Sequence, residues 1–492
     1  MAVKPIQAQG RKLMTVETNQ GLSAHEPLED PNSPIVVIGQ ILCVIVPLVI
    51  WFVPLSIDPT TQHALAIIGF MVVAWITRAM DYALAGMIGC FLFWALRVVR
   101  FPIAFSGFAN DTAWFVFGAL LLGVMATQSG IARRLAYFIM LKVGTTYPRI
   151  LFGLIATDFL LTFIVPSGIA RVVIMASIAI GLAEAFNSPP GTNVSRGMFL
   201  VLTYTANIFD KMIIAGAGSI TARGLIEKVG GFEVLWSYWF IAFLPCSIIT
   251  VLAAWWLTLW LYPPETVTLE GGREHLQDEL KKMGPLSPKQ RRAAMLLGLA
   301  VLLWLTDFAH HIPSPVIGLG VGLFALLPRI GILDIAEMRR LNYLPVFFVA
   351  AAVSMGTVLQ ATKGLEVLTA HVFAWMQPYM TNIISTTIVM YWAAFIYHFL
   401  LASEISMLGT SIPLVVEFAK SHSLNPLQLG MIWTFAAGGK LFAYQSGVLI
   451  VGYSYGYFAA RDLVRMGACL TLVEFAVLLL LVQFYWPLIG IH

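Results

Sequence analysis

Apolar runs long enough to cross a lipid bilayer recur through most of this 492-residue chain, and no other feature restricts its fold as strongly. A spanning helix needs about 20 apolar residues for a hydrocarbon core of about 30 Å. Inside that core every backbone amide and carbonyl must find its partner within the protein. Residues of hydrophobic type make up 59% of the chain and charged residues only 11%, against roughly 25% charged in soluble domains. The sequence therefore predicts an all-α polytopic membrane protein, with about eleven transmembrane helices at that span length.

The net charge of +4 is spread over loops, with no basic stripe of the kind that binds nucleic acid, so no nucleic-acid partner is expected. Cys43, Cys90, Cys246 and Cys469 each stand alone in apolar surroundings, without the spacing of a zinc site or a disulfide framework. The chain lacks the HExxH metalloprotease pattern and any GxSxG between a strand and a helix, so it does not read as an enzyme. The partners expected are the bilayer and a small solute, and no cofactor is expected beyond a coupling ion, sodium or a proton.

Residues 1–33 read as a polar N-terminal tail without the apolar core of a signal peptide. Residues 34–262 form a first membrane half, 263–292 a charged linker and 293–492 a second membrane half. The linker carries Arg273, Lys281, Lys282, Lys289, Arg291 and Arg292, which the positive-inside rule places in the cytoplasm. The N-terminus is expected on the same side of an inner or plasma membrane.

The two halves share a pattern. "FLLTFIVPSGIA" from Phe159 aligns with "FIYHFLLASEIS" from Phe395 at an offset of 236, matching Phe159, Phe163, Ser167 and Ile169 to Phe395, Phe399, Ser403 and Ile405. Each apolar run thus breaks at a serine, near 166–169 and near 402–405. Interrupted apolar segments at corresponding places in two halves mark the solute site of many transporters. Two inverted-topology repeats are expected, each with a re-entrant hairpin and a broken helix.

"TDFLLTFIVPSGIAR", "GFANDTAWFVFGALLLGVMATQSGIARRLAY", "ELKKMGPLSPKQRR" and "AYQSGVLIVGYSYGYF" resemble segments of the divalent anion/sodium symporter family, which carries di- and tricarboxylates and sulfate. Asp158, Pro166, Ser167, Ala170 and Arg171 fall on the pattern of its exchanger branch, the plastid 2-oxoglutarate/malate translocators and bacterial citrate/succinate antiporters. The family's tips carry Ser-Asn-Thr, and here they read Ser167-Gly168-Ile169 and Ser403-Glu404-Ile405. The resemblance implies a secondary carrier of organic anions, working by elevator-like movement within a homodimer. It places substrate contacts at both tips and at Ser446 and Gly447, and sodium near Ser167 and Ser403. Sulfate, a sulfonate or a monocarboxylate stays open as substrate, as does an anion channel or a receptor that does not transport.

Ionisable residues within spans are costly and read as functional. Arg171 suits bidentate binding of a carboxylate, with a structural pair to Asp158 as the alternative. Glu404 reads as a proton-coupling acid or as the partner of Lys440. Asp210 and Lys211 point about 100° apart on a helix and read as marking a bend or an interface end. Gly216, Gly218 and Ser219 after them let backbone approach an ion, or pack helices closely. Tyr444 and Gln445 are candidate anion donors, and His398 reads as a helix contact.

Overall fold

The computed structural model describes residues 33–144, 146–265, 271–373, 375–401 and 403–491. The N-terminal tail up to residue 32, residues 266–270 of the linker and Ala402 of the second tip lie outside the described residues. The described residues form helices joined by turns, with no strand among them. Eight helical stretches are long and apolar enough to cross a membrane, and four more are apolar but shorter. The expectation of a polytopic, all-helical membrane protein holds. The four cysteines are free.

Helices α1 (Pro34–Phe52), α2 (Pro59–Thr77) and α3 (Tyr82–Ala95) come first. Two runs of like design follow. The first comprises α4 (Asp111–Gln128), α5 (Ile131–Val143), α6 (Tyr147–Ile164), α7 (Gly168–Ala185), α8 (Asn193–Met212), α9 (Ala217–Gly230) and α10 (Trp236–Leu261). After α11 (Gly272–Lys282), α12 (Pro288–Leu305) and α13 (Ser314–Ala325), the second run holds α14 (Leu344–Ala361), α15 (Gly364–Val372), α16 (Ile383–Leu400), α17 (Glu404–Ser421), α18 (Pro426–Ala436), α19 (Gly447–Ser454) and α20 (Ala460–Leu480). The pairs α6–α7 and α16–α17 start and stop 236 positions apart, the offset at which the sequence aligns.

Both pairs fold back on themselves. Asp158 on α6 touches Arg171 on α7 at 2.9 Å, although thirteen residues of continuous helix would set them roughly 20 Å apart. Tyr397 and Thr410, also thirteen residues apart, share a 2.9 Å hydrogen bond across the second break. Pro166 lacks the amide needed to continue α6, and Ser167 starts α7 by accepting a hydrogen bond from the Ala170 amide. The halves then exchange partners: α7 packs on α19, and α17 packs on α9.

One boundary differs from expectation. Helix α12 begins at Pro288, inside the expected linker, because Ser287 and Gln290 form a reciprocal capping box just ahead of the apolar run. The apolar run from Met431 stops being helical after Ala436, where Gly438 and Gly439 open a ten-residue bend. An added Cβ at Gly438 would collide with the Lys211 ammonium group.

Helix α10 starts without a side-chain cap of its own. Buried Asp307, in a turn after α12, accepts from the Trp236 amide at 2.6 Å, the Ser237 amide at 3.3 Å and the Ser237 hydroxyl at 2.5 Å. Asp307→Ala strands these donors and is expected to cost about 1–3 kcal/mol. A lowered thermal midpoint in detergent would register the loss.

Candidate functional site

The breaks matter because of what they leave open. A helix N-terminus presents amides with no intrahelical acceptor and roughly half a positive charge. Four such ends meet in this protein. Gly168, Ala217, Glu404 and Gly447, the first residues of α7, α9, α17 and α19, all line one cavity of about 1060 Å³. Ser446 caps its own helix at Val448. Ser403 accepts no capping hydrogen bond, and Gly216 has no side chain to give one. The first-turn amides of α17 and α9 therefore keep their donor capacity towards the cavity.

Ser167, Gly168, Ile169, Ser403, Glu404, Ile405, Ser446 and Gly447 come together on this wall, with Gly216 and Gly218. Arg171 does not. It is fully buried behind the first tip, where Nε donates to Asp158 at 2.9 Å, Nη1 to the Val165 carbonyl and Nη2 to the Ala206 carbonyl. Its Nη2 also lies 2.9 Å from Asp210 Oδ1. The expectation that Arg171 forks around a solute carboxylate is corrected: its donors are spent on the protein.

Asp158, Ser219 and Lys440 also lie behind the wall. Ser219 donates to the Gly216 carbonyl, bracing the turn before α9. Lys440 donates to the Glu404 carboxylate and, at 2.5 Å, to Asn207 Oδ1, which also accepts from Ser446 at 3.2 Å. Of the two readings of Glu404, the pair with Lys440 is the one the geometry contains. Gln445 folds back to accept from the amides of Leu441 and Phe442. Tyr444 stacks on Phe442, with the Arg78 guanidinium 5.8 Å from its ring centre. Neither lines the cavity. His398 is buried against the Gln445 carbonyl, as a helix contact should be.

Asp210 and Asn207 escaped the sequence reading as site residues. Asp210 lines the cavity, and a Cβ added at Gly168 would collide with its Oδ2. That contact explains why glycine stands at the first tip: the Asp210 carboxylate fills the space an amide side chain would need. At the second tip Glu404 itself reaches to Gly218. The only signal for Asp210 in the sequence was its charge in an apolar run. Residues from outside the tips complete the wall, among them Arg78, Tyr82, Gln128 and Arg340. No group of three or more His, Cys, Asp or Glu side chains placed to hold a metal ion occurs among the described residues.

Residues 36–492 match the family model described as the sodium:sulfate symporter transmembrane region. The chain belongs to this family. It is a multi-pass integral membrane protein of a transporter family, not an enzyme. Among curated relatives, a membrane protein of Cupriavidus necator is 27% identical over 464 residues, covering 89% of each chain. A citrate/succinate antiporter of Escherichia coli strain K12 is 26% identical, covering 78% of this chain and 80% of that one. An L-tartrate/succinate antiporter of the same strain is 25% identical with the same coverage.

Proposed function

We propose that the protein is a secondary carrier of small organic anions, with di- and tricarboxylates as substrates, and that it exchanges one for another. The convergence of four helix N-termini on one cavity carries this reading. Their amides and dipoles attract a carboxylate group without a mobile counter-ion. The relatives, a citrate/succinate and an L-tartrate/succinate antiporter that share succinate, agree with it. The second tip's carboxylate already has a fixed cation, Lys440 beside Glu404. A sodium ion at that tip would meet the Lys440 charge, which favours exchange over sodium symport.

The cavity wall is shared between the tips and residues such as Arg78, Gln128 and Arg340 from outside them. Sliding of the tip-bearing body along that outer wall would carry a bound anion, as an elevator does. We place the protein in an inner or plasma membrane as a homodimer, with the N-terminus cytoplasmic.

Counterflow in proteoliposomes tests the reading. Labelled succinate should enter vesicles preloaded with succinate, citrate or tartrate and be indifferent to sodium. Sulfate, a sulfonate or a monocarboxylate driving uptake in their place would reassign the substrate, and uptake without saturation or counterflow would indicate a channel. Ser403→Ala is expected to raise the succinate KM about tenfold, the worth of one hydrogen bond to a charged group, without lowering thermal stability, because its hydroxyl caps nothing. An unchanged KM would remove Ser403 from the site.

A further inference from the structure

Two of the three buried charge groups around the tips balance, Glu404 with Lys440 and Lys211 with Glu474. The third does not. Arg171 alone stands between Asp158 and Asp210, one guanidinium for two carboxylates. Arg171 and Asp158 are 0% exposed, and Asp158 Oδ2 has no hydrogen-bond partner. Removing a charge from water without a counter-charge is unfavourable enough that the group takes up a proton instead. The far end of the triad reaches water: the Asp210 side chain is 22% exposed and lines the cavity.

We propose that the Asp158–Arg171–Asp210 triad holds one proton, exchanged with the cavity through the Asp210 carboxylate, and that dianion binding requires it. The inference rests on the carrier reading for its second half only. A proton from cavity water forms an O–H bond on a triad carboxylate, the triad becomes neutral, and an arriving dianion no longer faces a surplus negative charge. Deprotonation returns the same proton to the cavity.

Other charged groups facing Asp210 are accounted for. Glu404 on α17 and Lys440 in the bend before α19 form a neutral pair. His398 on α16 lies beyond that pair. Lys211, next along α8, is turned to Glu474 on α20. Gly216, just before α9, lies against the Asp210 side chain, and Val448 of α19 lies against Gly168. The surplus charge therefore belongs to the triad.

Thermal midpoints of the purified protein without anion, taken from mildly acidic to mildly alkaline pH, test the proton itself. Above about pH 4 the folded triad holds a proton that an unfolded aspartate, with a pKa of about 3.9, has given up. Stability should therefore fall as pH rises until the triad has given that proton up, and level off beyond. Asp210→Asn and, independently, Asp158→Asn should lose this part of the slope, whereas Glu404→Gln should keep it. Equal slopes in wild type and both asparagine variants would overturn the proposal. So would loss of fold in both, since removing a surplus charge relieves the site. Suppression of the wild-type slope by sodium, against choline, would overturn the proton and assign the charge to a metal cation.

Succinate counterflow over the neutral-to-alkaline range, where succinate stays a dianion, tests the requirement. Apparent affinity should weaken about tenfold per pH unit once the triad titrates, and the asparagine variants should flatten that dependence. A pH-independent wild-type affinity would refute the requirement. Absence of counterflow with succinate, citrate or sulfate would refute the carrier reading, and the slopes in detergent would still decide the proton.

Discussion

Arg171→Ala should leave a protein that neither transports nor survives purification intact, with the fold failing first. The side chain ties α6 to α7 through Asp158, and reaches α8 through the Ala206 carbonyl and Asp210. Breaking a buried ion pair from one side costs about 3–5 kcal/mol because a naked charge remains. Here both aspartate side chains lose their counter-charge. A large drop in thermal midpoint and loss of the monodisperse species in detergent are the expected readouts. Arg171→Met combined with Asp158→Asn and Asp210→Asn should restore a folded species, because no buried charge is then unmatched. An Arg171→Ala protein as stable as wild type would show that the guanidinium is not holding the tip, and would return it to the solute.

Lys440→Met is expected to have the second largest effect. Lys440 is 1% exposed, and its ammonium group supplies both the Glu404 carboxylate and Asn207 Oδ1. Methionine keeps most of the volume and removes the charge, leaving Glu404 unpaired at the cavity wall, at a cost of about 3–5 kcal/mol. Adding Glu404→Gln should recover most of that stability. Transport should not return with it: kcat/KM for succinate should stay at least about tenfold below wild type, ~1.4 kcal/mol in transition-state terms. The reason is that Lys440 and Ser446 converge on Asn207 and so hold the bend before α19 to α8. Recovery of both stability and transport in the double variant would reduce the pair to a removable accessory.

Much of the site's outline was legible from residue order. Pro166 and Ser167 predict where α6 ends and α7 begins, and the same offset carries that prediction to Ser403 and Glu404. Both are local effects: a missing amide, a capping hydroxyl, a change in apolar periodicity. The partners of the charges were less legible. Arg171 has the right chemistry for a dianion, yet its fork faces backbone carbonyls and two aspartates. Sequence spacing cannot say which way a long side chain turns when acceptors lie on both sides. Asp210 looked like a residue at a bend, since neither its nearness to Gly168 nor its pairing with Arg171 is a property of neighbouring positions.

By itself the sequence determined that this chain lives in a bilayer, that its halves repeat, and that each half breaks at a serine. Composition, helical length and helix-breaking residues act over a few turns and can be read in order along the chain. Only the tertiary structure decided that the two breaks share one cavity, that the halves exchange helices across it, and that Arg171 is shut behind a tip. These are long-range contacts between segments separated by up to hundreds of residues, and charge pairing in a low-dielectric interior depends on distances that no linear pattern encodes.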